Sequence, residues 1–118
     1  LDAQTDASEG WFELRIYFLD KENIYVWDRS GIEFTPGSLY YYNGSEWSDL
    51  DLVNKIREIL YEESREITIR DILISWDRIN VSVTLGDDIQ YLELVNYILE
   101  FDRNTLELLD INEITKPL

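Results

Sequence analysis

Hydrophobic and polar residues alternate with a period of two in the first part of the chain, which is the spacing of β-strands. The alternation begins near Trp11 and predicts a half-buried strand. Its apolar side consists of Phe12, Leu14, Ile16 and Phe18. Residues 24–27 are expected to return antiparallel to it, across a polar turn at residues 20–23.

Two further short strands are expected before the first helix. Residues 32–34 form one that ends at Pro36-Gly37, and residues 39–42 form another that ends at the Asn43-Gly44 turn signal. The first third of the chain is therefore predicted to be a meander of three or four strands.

The first helix is predicted over residues 48–63. Ser48 and Asp51 have the spacing of a capping box at its start. Apolar residues then recur at helical spacing and define the buried side. They are Leu52, Val53, Ile56, Ile59 and Leu60.

After the helix, the pattern predicts a hairpin. Residues 66–76 are rich in isoleucine, but Arg70-Asp71 interrupts the alternation and indicates a β-bulge or a break. A tight turn is expected at Asp77-Arg78. Residues 79–85 then form the clearest one-face-buried strand in the chain, with residues 72–76 as its partner.

A second helix is predicted after Gly86, because Asp87 or Asp88 can cap it and two carboxylates are favourable at a helix N-terminus. Its inner side would consist of Leu92, Val95, Ile98, Leu99 and Phe101. Residues 106–111 are expected to form the last strand.

The predicted order is β-β-β-β-α-β-β-α-β. Since hairpins join most neighbours, the expected fold is α+β, a mainly antiparallel sheet with two helices packed on one face. Residues 1–9 are acidic and lack periodicity, which predicts a flexible tail. Residues 10–118 are expected to form a single domain, in accord with the length of 118 residues.

The charge balance narrows the choice of partner. The chain has 25 Asp and Glu against 10 Lys and Arg, a net charge of −15. Direct binding to nucleic acid or to an anionic membrane needs a basic surface, so a basic protein partner is favoured instead. An acidic surface that serves only solubility is the alternative. In size and charge alone the chain resembles small acidic nuclease inhibitors.

The residue types disfavour an enzyme. With no His, Cys or Met, the usual general bases, thiol nucleophiles and soft metal ligands are missing. The carboxylate pairs Asp49/Asp51 and Asp87/Asp88 are accounted for as helix caps. No catalytic residue, metal or cofactor is therefore assigned. No apolar run approaches the ~20 residues of a membrane span, and the lack of Cys favours a cytoplasmic location without establishing it.

Two sets of residues are candidates for partner binding. The first is aromatic, because consecutive tyrosines on a strand must point to alternate faces and some must be exposed. It comprises Tyr40, Tyr41, Tyr42 and Trp47. The second is the acidic outer side of the predicted second helix, which would imitate the phosphates of a nucleic acid. It comprises Asp87, Asp88, Glu93, Glu100 and Asp102.

Three functions follow as hypotheses. The first is an inhibitor or immunity-type protein that blocks a basic, nucleic-acid-processing partner. The second is an acidic homodimeric chaperone that holds a client segment along its sheet. The third is a surface or lectin-like module that uses the exposed Tyr and Trp side chains.

Overall fold

The computed structural model describes residues 13–29, 37–60, 66–86 and 95–114. The chain divides into two compact units, Leu1–Tyr61 and Glu62–Leu118. Each unit contains one four-stranded antiparallel sheet. The tail expected over residues 1–9 and the strand expected over residues 32–34 lie outside the described residues.

The first unit is a meander in which each strand pairs with the next. The strands are β1 (Leu14–Asp20), β2 (Asn23–Asp28), β3 (Ser38–Tyr42) and β4 (Trp47–Asp49). β1, β2 and β3 agree with the strands that the alternation predicts. β4 lies where the sequence pattern predicts the start of a helix.

The helix α1 (Leu52–Leu60) begins later than predicted. Ser48 pairs with Tyr41 in the sheet, so it does not cap the helix. Asp51 directly precedes the helix: its carbonyl accepts the Lys55 N–H at 3.2 Å, and its carboxylate accepts from the Asn54 side chain at 2.8 Å. Of the predicted apolar side, Leu52 and Ile56 are buried. Residues 61–63, the predicted end, lie outside the described residues.

The buried face of the first sheet is not the one that the sequence predicts. Residues opposite each other in adjacent antiparallel strands share a face, and Trp27 lies opposite Leu39, with all but 1% of their surfaces buried. In β1, Ile16 and Phe18 alternate with the residues that lie opposite Tyr25 and Trp27. They therefore point to the other face of the sheet, and both are exposed. The large rings on β2 decide which face is buried, because they remove more area from water than the β1 side chains do.

The second unit is also a meander of consecutive antiparallel strands. The strands are β5 (Glu66–Ile74), β6 (Arg78–Gly86), β7 (Val95–Asp102) and β8 (Leu108–Ile114). β5 and β6 form the predicted hairpin, in which the Ser75 N–H donates to the Arg78 carbonyl at 2.9 Å. The expected bulge is confirmed, since the register shifts between Ile69 and Asp71.

The prediction of a second helix is wrong. Val95–Asp102 is the strand β7, which pairs with β6 from Leu85↔Val95 to Arg78↔Asp102. The spacing of Val95, Leu99 and Phe101 is compatible with one face of a strand as well as with one face of a helix. The segment forms a strand because it can pair with the free edge of β6. Among the described residues, the fold is therefore two antiparallel sheets with one short helix. Residues 87–94 lie outside them.

In both edge strands of the second sheet, an aspartate side chain accepts the backbone N–H of the next residue. The Asp71 carboxylate accepts the Ile72 N–H at 2.9 Å, and the Asp110 carboxylate accepts the Ile111 N–H at 2.9 Å. The backbone bond from Asp102 N to Glu107 O, together with the register, turns the N–H of Ile111 away from β7. In each edge strand, an aspartate carboxylate therefore accepts a backbone N–H that points out of the sheet. This hydrogen bond opposes the pairing of another strand at that edge.

We expect Asp110→Ala to increase self-association of the chain at the β8 edge. The change frees the Ile111 N–H and removes a charge from a strand whose seven residues are all exposed. Glu113→Ala, which removes the same charge without freeing that donor, is the control. Light scattering over a concentration series measures the effect, and equal association of the two variants would contradict it.

Candidate functional site

The first sheet exposes a continuous apolar surface, which we name the aromatic face. The register and the alternation of side chains place its members on the side opposite Trp27. They are Ile16, Phe18, Ile24, Val26, Tyr40, Tyr42 and Trp47. Ile16, Phe18 and Trp47 are 64%, 66% and 53% exposed. Side chains this apolar on one open sheet face indicate a surface for binding.

Trp47 is held in place by the turn that precedes it. Its ring lies 5.1 Å from the ring of Tyr42, at an angle of 37°. The Tyr42 hydroxyl donates to the Gly44 carbonyl at 2.9 Å, and the Asn43 side-chain oxygen accepts the N–H groups of Ser45 and Glu46 at 2.9 and 3.0 Å. These bonds order the turn next to Trp47, and an ordered turn lowers the entropy cost of any binding there.

Tyr41 lies on the opposite side of the sheet and does not belong to this face. Its ring is 4.7 Å from the ring of the buried Tyr25. Its hydroxyl donates to the Asn23 side-chain oxygen at 2.5 Å, and the Asn23 amide donates to the Asp20 carboxylate at 3.0 Å. Tyr41 therefore fixes the β1–β2 turn, and replacing it would disturb the fold as well as any binding. Of the four predicted aromatic residues, Tyr40, Tyr42 and Trp47 share the aromatic face.

The charges around the aromatic face are acidic. Asp28 and Asp49 occupy strand positions with the same parity, at one end of the face. No lysine or arginine occupies such a position in β1–β4. Arg15 and Arg29 instead lie over the ring of Trp27, at 5.2 and 4.7 Å from its centroid. The aromatic face is thus bordered by carboxylates, while these two arginines stack on the buried ring.

The predicted acidic set does not form a helical surface. Asp87, Asp88 and Glu93 lie outside the described residues. Glu100 lies on β7 and accepts from Arg78 Nε at 2.7 Å. This ion pair is more than one-third exposed on both sides, so it contributes little to stability, ~1 kcal/mol or less.

Asp102 has a role in the backbone of the β7–β8 turn. Its carboxylate accepts the N–H groups of Asn104 and Thr105 at 2.8 and 3.0 Å. Hydrogen bonds from these backbone groups hold the pKa of Asp102 below its ordinary value, with a smaller contribution from the nearby charge of Arg78. Its contribution to stability is therefore present at neutral pH and is lost as the pH falls through this lowered pKa. Glu100 and Asp102 both have contacts that explain their positions.

Ile16 and Phe18 are members of the aromatic face that the sequence pattern assigned to the core. One signal could have identified them, since the opposite side of β1 and β2 carries Tyr17, Tyr25 and Trp27. The strand pair thus has two apolar sides. Only one of them can be buried by the core of so small a unit, and the bulkier one is favoured.

Comparison with protein-family models, with curated proteins and with solved structures found no match to this chain. Within the described ranges, no group of three or more acidic side chains is arranged to hold a metal ion. In the same part of the chain, no helix is long and apolar enough to cross a membrane. The side chains of the aromatic face can make apolar contacts and stack with rings.

Proposed function

We propose that this chain is an acidic protein-binding module whose aromatic face binds a basic protein. The observation that carries the proposal is the joint exposure of Ile16, Phe18 and Trp47 on one ordered sheet face. Tryptophan and other large apolar side chains supply much of the binding energy at protein interfaces, provided that the partner covers them completely.

The charge of the chain supports a basic partner. The net charge is −15, and one end of the aromatic face carries Asp28 and Asp49, whereas no lysine or arginine of β1–β4 lies on this face. A partner with an apolar patch inside a rim of lysine and arginine would match this arrangement and would associate quickly at low salt. An inhibitor or immunity-type role, in which the module covers the working surface of a basic enzyme, fits the same properties.

We expect Ile16→Ser/Phe18→Ser and Trp47→Ala to weaken binding to that partner. Each should cost at least ~2 kcal/mol, or about 30-fold in Kd, because each removes a hydrophobic anchor. Leu73→Ser is the matched control, since Leu73 is 60% exposed but belongs to the second unit. The immobilised chain and its variants would capture partners from an extract, and the affinity of each purified partner would then be measured by calorimetry.

Four results support or overturn the proposal. It is supported if the captured protein is basic, binds less tightly as salt rises, and is lost with the two aromatic-face variants but retained with Leu73→Ser. It is wrong if binding survives both variants. Salt-independent binding of an oligosaccharide through Trp47 would favour the lectin-like module, and a stable dimer joined through the aromatic face would favour the chaperone.

A further inference from the structure

The second sheet carries a groove on the face that also bears Glu100. The groove has a volume of about 340 Å³ and spans β5 to β8. Its side-chain lining includes Arg70, Ser82, Thr84, Asn96, Ile98 and Ile114. All of these residues belong to the second unit, so the groove is complete within that unit.

Hydrogen bonds fix the orientation of the polar groups in this groove. Arg70 Nε donates to Thr84 Oγ1 at 3.0 Å, and Thr84 Oγ1 lies 2.7 Å from Asn96 Oδ1. A guanidinium can only donate, so the Thr84 oxygen accepts from Arg70 and its single hydrogen is donated to Asn96. Thr84 is only 4% exposed, which holds this relay in place. The amide nitrogen of Asn96 must then point away from Thr84.

The groove contains hydrogen-bond donors that are not used within the described ranges. The terminal nitrogens of Arg70 and the amide nitrogen of Asn96 make no hydrogen bond or ion pair within the described ranges. The neighbouring Asp71 carboxylate accepts the Ile72 N–H at the sheet edge. By contrast, Arg29 and Arg78 are both paired with carboxylates. An arginine without such a partner is unexpected in a chain with 25 acidic and 10 basic residues.

We propose that this groove binds a carboxylate group. The two terminal nitrogens of a guanidinium match the two oxygens of a carboxylate in a planar, two-bond arrangement. The Asn96 amide supplies a further donor, and Ile98 and Ile114 provide apolar surface for a short aliphatic chain beside the carboxylate. A small organic acid and the C-terminus of a peptide share this chemistry.

Titration of the full chain with sodium propionate, followed by ¹H–¹⁵N NMR at constant ionic strength, tests the proposal. We expect saturable shifts of the Asn96 side-chain amide and of the Arg70 Nε–H signal, with a Kd of roughly 1–10 mM for so small a ligand. Propionamide has the same shape without the charge and should cause no saturable shift. An acetylated dipeptide with a free C-terminus distinguishes the two sources: tighter binding than propionate indicates a peptide, and weaker binding indicates a small acid.

Variants separate this site from general anion binding. Arg70→Lys keeps the charge but loses the planar pair of donors, so it should weaken binding about tenfold. Arg70→Gln should abolish binding, whereas Arg103→Gln, at another arginine of the second unit, should leave it unchanged. Equal shifts in wild type and Arg70→Gln, or tighter binding of inorganic phosphate than of propionate, would overturn the assignment. Unchanged thermal unfolding of each variant confirms that it remains folded.

Discussion

Trp27→Ala should lower the free energy of unfolding of the first unit by about 3–5 kcal/mol, the range for removing a large ring from a core. Trp27 is 0% exposed and lies opposite Leu39 in the register of β2 and β3. The change would also remove the ring over which the guanidinium groups of Arg15 and Arg29 lie. Since small domains are stable by only ~5–15 kcal/mol in total, the loss is large. Urea denaturation followed by circular dichroism measures it.

Trp27→Phe is the matched control for this prediction. The Trp27 indole N–H is buried and has no hydrogen-bond partner in the part of the chain that the structure describes, and such an unsatisfied donor costs ~1–3 kcal/mol. Phenylalanine removes that cost while leaving a smaller cavity than alanine does, so we expect a clearly smaller loss than for Trp27→Ala. Equal losses for the two variants would mean that ring packing is not what Trp27 contributes.

The strands β1, β2 and β3 and the β5–β6 hairpin could be predicted because each has a clear alternation and a recognisable turn. β4 could not, because Ser48 and Asp51 also have the spacing of a capping box. Asn43-Gly44 marks the β3–β4 turn, and the break at Arg70-Asp71 marks the bulge in β5. β7 could not be predicted in this way. The apolar residues of its segment satisfy both periods, and only the free edge of β6, a neighbour in the fold, decides between them.

The candidate site was predictable in part for a similar reason. Alternation along β3 requires that Tyr41 point to one side and Tyr40 and Tyr42 to the other, and the structure shows this division. Alternation along one strand does not say which side is buried, because that depends on the rings that β2 brings opposite β3. Ile16 and Phe18 were therefore assigned to the core, although they are exposed. The acidic surface was predicted on the outer side of the second helix. Because Val95–Asp102 is a strand, Glu100 and Asp102 do not form such a helical surface.

Leu99→Pro should unfold the second unit. Leu99 is 0% exposed and lies opposite Val81 and Ile111, in a strand paired on both sides. Proline has no N–H to donate to β6, and it also replaces a buried leucine whose truncation alone costs ~2–5 kcal/mol. We expect the free energy of unfolding to fall by more than ~4 kcal/mol, which single substitutions reach only when they disrupt the core or the backbone. Loss of dispersed amide signals from residues 66–86 and 95–114 in NMR spectra measures it.

Glu113→Pro tests the register of the same sheet and should be tolerated. Glu113 has the same parity as Ile111 on the edge strand β8, so its N–H points away from β7 and takes no part in the ladder. Proline is accepted at such edge positions because no hydrogen bond is lost. We expect a cost of ~1 kcal/mol or less, against more than ~4 kcal/mol for Leu99→Pro. Comparable losses at the two positions would contradict the assignment of β7 as a central strand and of β8 as the edge.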